Sequence, residues 1–256
     1  MKFSIITATY NSADTLADTL ESILAQTFSD YEVIIQDGGS TDNTLDIAHS
    51  YEQCFGGRLR IFSEKDHGLY DAMNRGISHA TGDVVGILNS DDFYADNEVL
   101  HIIHSTMTTE QVDCIYGNLK YVRHNDTSKV TRTWTGSQFT PGAFQRGWHP
   151  AHPTFYAKRE CFSKYGGFDT SFAVSADFEL MLRFIEKHRI TNRYIDHCFV
   201  IMREGGESNG KLSNIIKGNK NIIRAFRKND ISVSMLYPVK RLLPKVLERL
   251  RNTLHS

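Results

Sequence analysis

Over its first hundred residues the chain alternates short apolar runs with stretches whose apolar positions recur at helical spacing. Lys2–Thr7 is mostly apolar and β-branched, as expected of a strand buried on both faces. Asn11-Ser12-Ala13-Asp14 then opens a helix that carries Leu16, Leu20, Ile23 and Leu24. Val33–Gln36 is a second strand. It runs into Asp37-Gly38-Gly39-Ser40, after which Ser40 or Thr41 would cap a helix bearing Leu45, Ile47 and Ala48. Arg60–Ser63 is a third strand, about Leu69 to Ala80 a helix, and Val84–Leu88 a fourth strand. This alternation predicts right-handed crossovers and a parallel sheet.

Past Cys114 the pattern changes. Tyr116–Val122, the polar turn His124-Asn125-Asp126 and Lys129–Trp134 predict an antiparallel hairpin. Asp177–His188 predicts a helix presenting Leu180, Met181, Phe184 and Ile185. The tail reads as two further helices, about Leu212 to Arg227 and Met235 to Leu254, the second limited by Pro238 and Pro244.

Composition adds bounds rather than detail. With 256 residues, 40% hydrophobic and 23% charged, the chain can bury one large core with or without an appendage. No run approaches the ~18 apolar residues of a membrane-spanning helix. The N-terminus enters a strand pattern at once, without the apolar core of a secretory leader. Cys54, Cys114, Cys161 and Cys198 are widely spaced, which suits free thiols in a reducing compartment. The cytosol is the expected location.

Charge is unevenly spread. From Lys211 to Ser256 there are 11 Lys/Arg against Asp230 and Glu248, whereas the preceding residues hold 18 Lys/Arg against 28 Asp/Glu. Both tail segments interleave these bases with Leu and Ile, as in helices that lie on an anionic membrane surface. The other reading is an apolar stripe packed on the body or on a second copy in a homodimer. The leucine-rich faces lack base-stacking aromatics, so nucleic acid is not the expected partner.

Candidate chemistry sits at three strand ends: Thr7-Ala8-Thr9-Tyr10-Asn11, Asp37-Gly38-Gly39-Ser40-Thr41-Asp42 and Asn89-Ser90-Asp91-Asp92. Such ends converge on one crevice in an open α/β sheet. Two adjacent carboxylates after a buried strand call for a positive partner, and Mg²⁺ or Mn²⁺ carrying phosphates is the simplest. Taken alone, the same residues suit a helix start, with Ser90 as cap. Asp37 suits a nucleobase or ribose acceptor, Gly38 allows close backbone approach, and Tyr10 offers a ring for stacking. The alternative for Asp37 is a turn former bonding its own backbone. Neither a dinucleotide-binding G-x-G-x-x-G nor a P-loop is present.

These segments, with Asp71-Ala72-Met73-Asn74-Arg75-Gly76, occur in the order and spacing of family-two glycosyltransferases of GT-A fold. The stretch from Ser63-Glu64-Lys65-Asp66-His67-Gly68 onward resembles bacterial surface-polysaccharide transferases of that family. The likeness continues through Gly166-Gly167-Phe168-Asp169 and Ser175-Ala176-Asp177-Phe178-Glu179-Leu180. It implies an α/β domain of GT-A type over about 1–210, with a mostly parallel, Rossmann-like sheet flanked by helices and a basic helical extension over 211–256. It also implies a bound Mn²⁺ or Mg²⁺ ion and inversion at the anomeric carbon.

Residue by residue, the resemblance implies that Asp37 bonds the donor base, with Thr9, Tyr10, Asn11 and Gly38 beside it. Asp71 and Asn74 would be donor-side contacts, and Asp91 and Asp92 the acidic pair for ribose and metal. Asn89 departs from the pattern, standing where many relatives carry another Asp. Asp177 matches the general base, with Ala176 where many relatives have Glu; without the resemblance, Asp177 reads as a helix cap and Glu179 as a solvated face. His152, in Trp148-His149-Pro150-Ala151-His152-Pro153, would contact diphosphate or acceptor, or else pack in a loop. Arg203-Glu204-Gly205-Gly206-Glu207-Ser208 resembles a loop closing over the donor, where Arg203 would stabilise leaving-group phosphate. The expected activity is transfer from a UDP-sugar to a glycan or polyprenyl-diphosphate-linked acceptor. An inert sugar-nucleotide or glycan-binding module and a nucleotidyltransferase are the alternatives.

Overall fold

Seven consecutive residues, Phe3–Thr9, are all buried and form the inner strand β1. Their side chains alternate between two cores: Phe3 and Ile5 face one, Ile6 and Ala8 the other. The structure, a computed structural model, describes residues 1–205, 212–234 and Tyr237. Its strands are β1, β2 (Tyr31–Asp37), β3 (Leu59–Ser63), β4 (Val84–Ile87), β5 (Phe93–Tyr94), β6 (Cys114–Arg123), β7 (Asp126–Trp134), β8 (Tyr156–Lys158) and β9 (Asn192–Arg203). The helices are α1 (Leu16–Leu24), α2 (Thr44–Ser50), α3 (Glu52–Phe55), α4 (Leu69–His79), α5 (Val99–Glu110), α6 (Arg159–Tyr165), α7 (Ala176–Met181) and α8 (Leu212–Lys228).

One sheet runs β3-β2-β1-β4-β8-β6-β9-β5, and β7 pairs with β6. The β3-β2-β1-β4 half is parallel, as the alternating pattern predicts. β8 then runs antiparallel between β4 and β6, and β9 lies parallel to β6. Leu16, Leu20 and Ile23 of α1 and Val99, Leu100 and Ile103 of α5 fill the core on one face. Ala72 and Met73 of α4 and the buried residues of α6, α7 and α8 fill the other. Gly76 brings α4 close to β1, since a β-carbon there would lie 2.4 Å from Ile6 Cγ2.

Several expectations need correction. Asn89–Asp92 opens no helix; it turns into the two-residue strand β5. The helix expected over Asp177–His188 is α7 followed by a π-helical turn, Leu182–Lys187, in which Leu182, Phe184, Ile185 and Glu186 are all buried. Glu179, read as a solvated face, is 1% exposed. β8, β9, α5 and α6 were not legible from periodicity.

In the tail, Ile222, Ala225 and Phe226 of α8 are buried in the main core beside α7, as the packed reading of this helix expects; the side chains of Leu212, Ile215 and Ile216 lie outside the described residues. Phe226 lies 5.7 Å from Phe178 and 5.1 Å from Tyr237, ring centre to ring centre. Its bases are used locally: Arg224 bonds the Ser171 carbonyl at 3.0 Å and Lys228 pairs with Asp169. The second predicted tail helix lies outside the described residues apart from Tyr237. Phe226→Ala should therefore destabilise the whole domain by about 3–5 kcal/mol. Denaturant unfolding measures this; an unchanged midpoint would mean that α8 is not part of the core.

Candidate active site

The acid turn after β4 is fixed through its backbone from three directions. Asp92 N–H donates to the Asn89 carbonyl at 3.1 Å, and Thr19 Oγ1 on α1 donates to the Asp92 carbonyl at 2.7 Å. Arg203, at the end of β9, donates to the Asp91 carbonyl at 2.8 Å, pairs with Asp18 and stacks 5.0 Å from the Phe93 ring. It is 4% exposed and so engaged. It holds the acid turn rather than offering a free cation in a closing loop, and Gly206–Ser208 of that loop lie outside the described residues.

The side chains of the turn are far less satisfied. Asp92 is wholly buried; Asn89 Nδ2 donates to its Oδ2 at 3.0 Å, and its Oδ1 has no partner. Burial, and then the charge of Asp91, pushes the Asp92 carboxyl well above the usual carboxylate range. Burial raises Asp91 as well, against the pull of Arg203, His124 and His152. Two carboxyls that resist ionising together would be relieved by a cation. Among the described residues no group of three or more His, Cys, Asp or Glu makes a complete protein cage. An ion here would need oxygens from a ligand, as Mg²⁺ bound through one or two carboxylates and phosphates does.

The β1 and β2 ends are tied to each other. Asp37 is buried and accepts from Thr9 Oγ1 at 3.1 Å, Gly39 N and Ser40 N at 3.0 Å, Ser63 Oγ at 2.8 Å, and Ser40 Oγ. Burial opposes its ionisation, but the bonds from Ser40, Ser63 and Gly39 outweigh this and hold it below the usual range. Five donors use up the roughly four lone-pair directions of a carboxylate. Asp37 therefore shapes the turn in this structure and offers no free direction to a base. Asn11, at φ 49°, accepts from Thr41 N at 2.9 Å and cross-links the same two turns. Gly38 is adjacent to a carboxylate of this chain, because a β-carbon there would lie 2.4 Å from Asp66 Oδ2. Tyr10, 64% exposed, is the open surface in this region.

On α4 the two expected donor contacts are occupied. Asp71 accepts from His67 N at 3.0 Å and pairs with Arg75 at 3.1 Å. Asn74 grips the backbone of Phe168 in both directions, at 2.8 Å each. Tyr70 was missed by sequence reasoning. It stacks 5.5 Å from Phe168 and donates to Asp177 Oδ1 at 3.0 Å. Burial and the Asp177 charge raise the Tyr70 hydroxyl, so it stays protonated and donates.

Asp177 sits at the start of α7, after Ser175 in left-handed backbone at φ 73°. Its Oδ2 is 3.5 Å from His152 Nδ1. His152 Nε2 is buried and without a partner; burial lowers the pKa of the ring, against Asp177 and Asp91, so it is neutral at pH 7. Behind Asp177, Glu179 pairs with Arg183 at 2.9 Å and accepts from Asn229 Nδ2 at 3.0 Å. Arg183 also bonds the carbonyls of Gly166 at 2.9 Å and Gly167 at 2.7 Å. The structure thus brings Asp91, Asp92, His152 and Asp177 together, and makes Thr9, Asn11, Asp37, Asn74 and Arg203 the frame around them.

Because Asp92 is an ionisable group buried without compensation, Asp92→Asn should raise the melting temperature of the protein in EDTA at neutral pH. Calorimetry on both proteins measures this. A lower melting point in the variant would show that the carboxylate is already compensated.

Comparison with known proteins fits this geometry. The sequence profile described as Glycosyl transferase family 2 matches residues 4–176. The chain is 31% identical over 248 residues to the PGL/p-HBAD biosynthesis glycosyltransferases of Mycobacterium bovis and Mycobacterium tuberculosis, covering 96% of this chain and 93% of theirs. Among solved structures, S. aureus TarS 1-349 in complex with UDP superposes with a TM-score of 0.71 at 19% identity, over 94% of this chain and 68% of that one. The mannosyltransferase PcManGT from Pyrobaculum calidifontis gives 0.65 at 19% identity, over 94% of this chain and 68% of that one. At such identity these two speak for the GT-A fold alone. The profile and the mycobacterial relatives go further: this chain belongs to glycosyltransferase family 2 and is a glycosyltransferase.

Proposed function

We propose that the protein transfers one sugar, with inversion, from a UDP-linked donor to a hydroxyl of a glycan or polyprenyl-diphosphate-linked acceptor in bacterial surface-polysaccharide assembly. The observation that carries this reading is the buried, unpartnered Oδ1 of Asp92 beside Asp91, with the Tyr70–Asp177–His152 cluster next to them. Asp92 and Asp91 fit a divalent Mn²⁺ or Mg²⁺ ion, which when bound supplies charge neutralisation for the leaving diphosphate. The complexes of TarS with UDP-GlcNAc and of PcManGT with GDP-Man and Mn²⁺ support a nucleotide-sugar donor and a metal. The TarS complexes favour uridine.

Asp177 is the base in this scheme. Tyr70 holds Oδ1, and Oδ2 takes the proton of the acceptor hydroxyl as the new glycosidic bond forms. Attack opposite the leaving nucleotide inverts the anomeric carbon. Tyr10 gives the donor base an open ring to stack on. The reaction is assigned to the inner face of the cytoplasmic membrane. No helix of the described residues is long and apolar enough to cross a membrane. Membrane contact in this reading is carried by Lys240, Arg241, Lys245, Arg249 and Arg251; reversing these charges should abolish sedimentation with anionic vesicles at low salt, and undiminished binding removes their role.

A panel of nucleotide sugars, assayed for release of nucleoside diphosphate, should show turnover with Mn²⁺ or Mg²⁺ and none in EDTA. Full turnover by extensively demetallated enzyme would remove the metal from the scheme. With the donor so identified, Asp177→Asn should lower kcat by roughly 10²-fold or more and leave donor affinity nearly unchanged. Equal loss of donor binding would make Asp177 a donor-side residue, and unimpaired transfer would remove it from the chemistry.

A further inference from the structure

β7 pairs only with β6 among the described residues, on the edge of β6 that β8 occupies lower down. β8 also pairs with β4. The hairpin therefore continues that edge above β8, toward the end of β4 that carries the acid turn. The register sets Leu119 opposite Trp134 and Tyr121 opposite Arg132, so these four share one face. Leu119 is buried, whereas Arg132 is exposed. The guanidinium of Arg132 rests 5.5 Å from the Tyr121 ring centre and 5.6 Å from that of Trp134. Trp134 meets His149 at 5.0 Å, and His149 meets Phe178, the neighbour of Asp177, at 5.4 Å. Aromatic contacts thus run unbroken from Arg132 to the residue beside the base.

Charge along this shelf is positive and open. Lys129 pairs with Asp126 at 2.8 Å and Thr131 bonds Glu204 at 2.6 Å, so both nearby acids are engaged. Arg123 and Arg132 have no ion-pair partner among the described residues. A guanidinium held beside two rings and without an acidic partner offers its planar fork of N–H donors to a carboxylate or phosphate. Burial raises the Tyr121 hydroxyl, and the Arg132 charge opposes this.

We propose that the Tyr121–Arg132–Trp134 face of the hairpin is the acceptor subsite and selects a saccharide bearing an anionic group, carboxylate or phosphate. The sugar ring rests on the aromatic shelf, and the anion takes the outward edge of Arg132. The inference rests on the glycosyltransferase reading and adds the acceptor's charge to it.

The chain has two tryptophans, so Trp148→Phe leaves Trp134 as the sole tryptophan reporter. Trp148 packs against Tyr116, Phe139 and Phe144, and its Nε1 has no partner to lose. With UDP and Mn²⁺ present, this variant is titrated with glucuronate, glucose 1-phosphate and methyl glucoside, each to about 20 mM. At least one anionic saccharide should quench Trp134 with an affinity about tenfold or more above that of methyl glucoside, and adding Arg132→Gln should erase the difference. Which of the two anions wins tells carboxylate from phosphate. Equal response to all three, or response to none, overturns the proposal. Saturation-transfer NMR with wild type and Arg132→Gln gives the same comparison should Trp148→Phe not fold. A UDP-induced thermal shift on the same samples separates the outcomes: UDP binding without saccharide discrimination sinks this inference alone, and no UDP binding sinks the donor reading.

Discussion

A carboxylate with no exposed surface, next to a second carboxylate, is the constraint from which the rest of this site follows. Burying an ion costs several kcal/mol, and the sequence relieves only part of that cost through the charge of nearby Arg203. It uses its bonding groups on the backbone. Thr19 of α1 holds the Asp92 carbonyl and Arg203 of β9 the Asp91 carbonyl, while Asn89 fixes only one oxygen of Asp92. The turn is rigid and its free oxygen is left unsatisfied. That combination is costly for the fold, and a cation bound there would require no rearrangement of the turn's backbone bonds.

The surroundings of Asp177 are built by different means. Here the carboxylate is bonded by Tyr70, and a hydrogen-bonded frame stands behind it. Asn74 and Arg183 both grip the backbone around Gly167 and Phe168, and a β-carbon on Gly167 would lie 2.3 Å from Asn74 Oδ1. Glu179 joins Arg183 to Asn229, the residue that follows α8. The tail helix is thus wired to α7, at whose start Asp177 stands, through buried, charge-assisted bonds. The described part of α8 follows the packed one of the two readings that its sequence allows.

How much could be read beforehand follows from whether a signal was local. β1, β2, β4, α1 and α4 announce themselves because their faces are uniformly buried or cleanly amphipathic. β9 does not: its twelve residues mix partly buried positions with Asp196 and His197, so no clean period survives. The hairpin was legible from its polar turn, with β6 and β7 bracketing the expected strands. Site residues divide the same way. The acid turn and Asp177 could be found as motifs, yet the partners that decide their roles lie far along the chain. Arg203 reaches Asp91 across 112 positions and Tyr70 reaches Asp177 across 107. No window of sequence contains those pairs.

Motif membership and ligand contact therefore need separate criteria, and valence supplies one. Thr9, Asn11, Asp37, Asn74 and Arg203 all belong to the recognisable segments, and each spends its hydrogen bonds on this chain. Asp92 Oδ1 and His152 Nε2 are buried in the same crevice and bond nothing. A buried polar atom without a partner costs about 1–3 kcal/mol, a sum that selection for stability alone would remove. Within the motif set, Thr7 Oγ1 and Asn89 Oδ1 are unsatisfied too, so a missing bond marks a candidate for ligand contact only where it faces the crevice, and the saturated residues shape that crevice. On this criterion a substitution at Asp37 or Arg203 acts by moving the acid turn or its neighbour. A substitution at Asp92 changes the wholly buried, half-satisfied carboxyl of the turn and leaves the turn's backbone bonds in place.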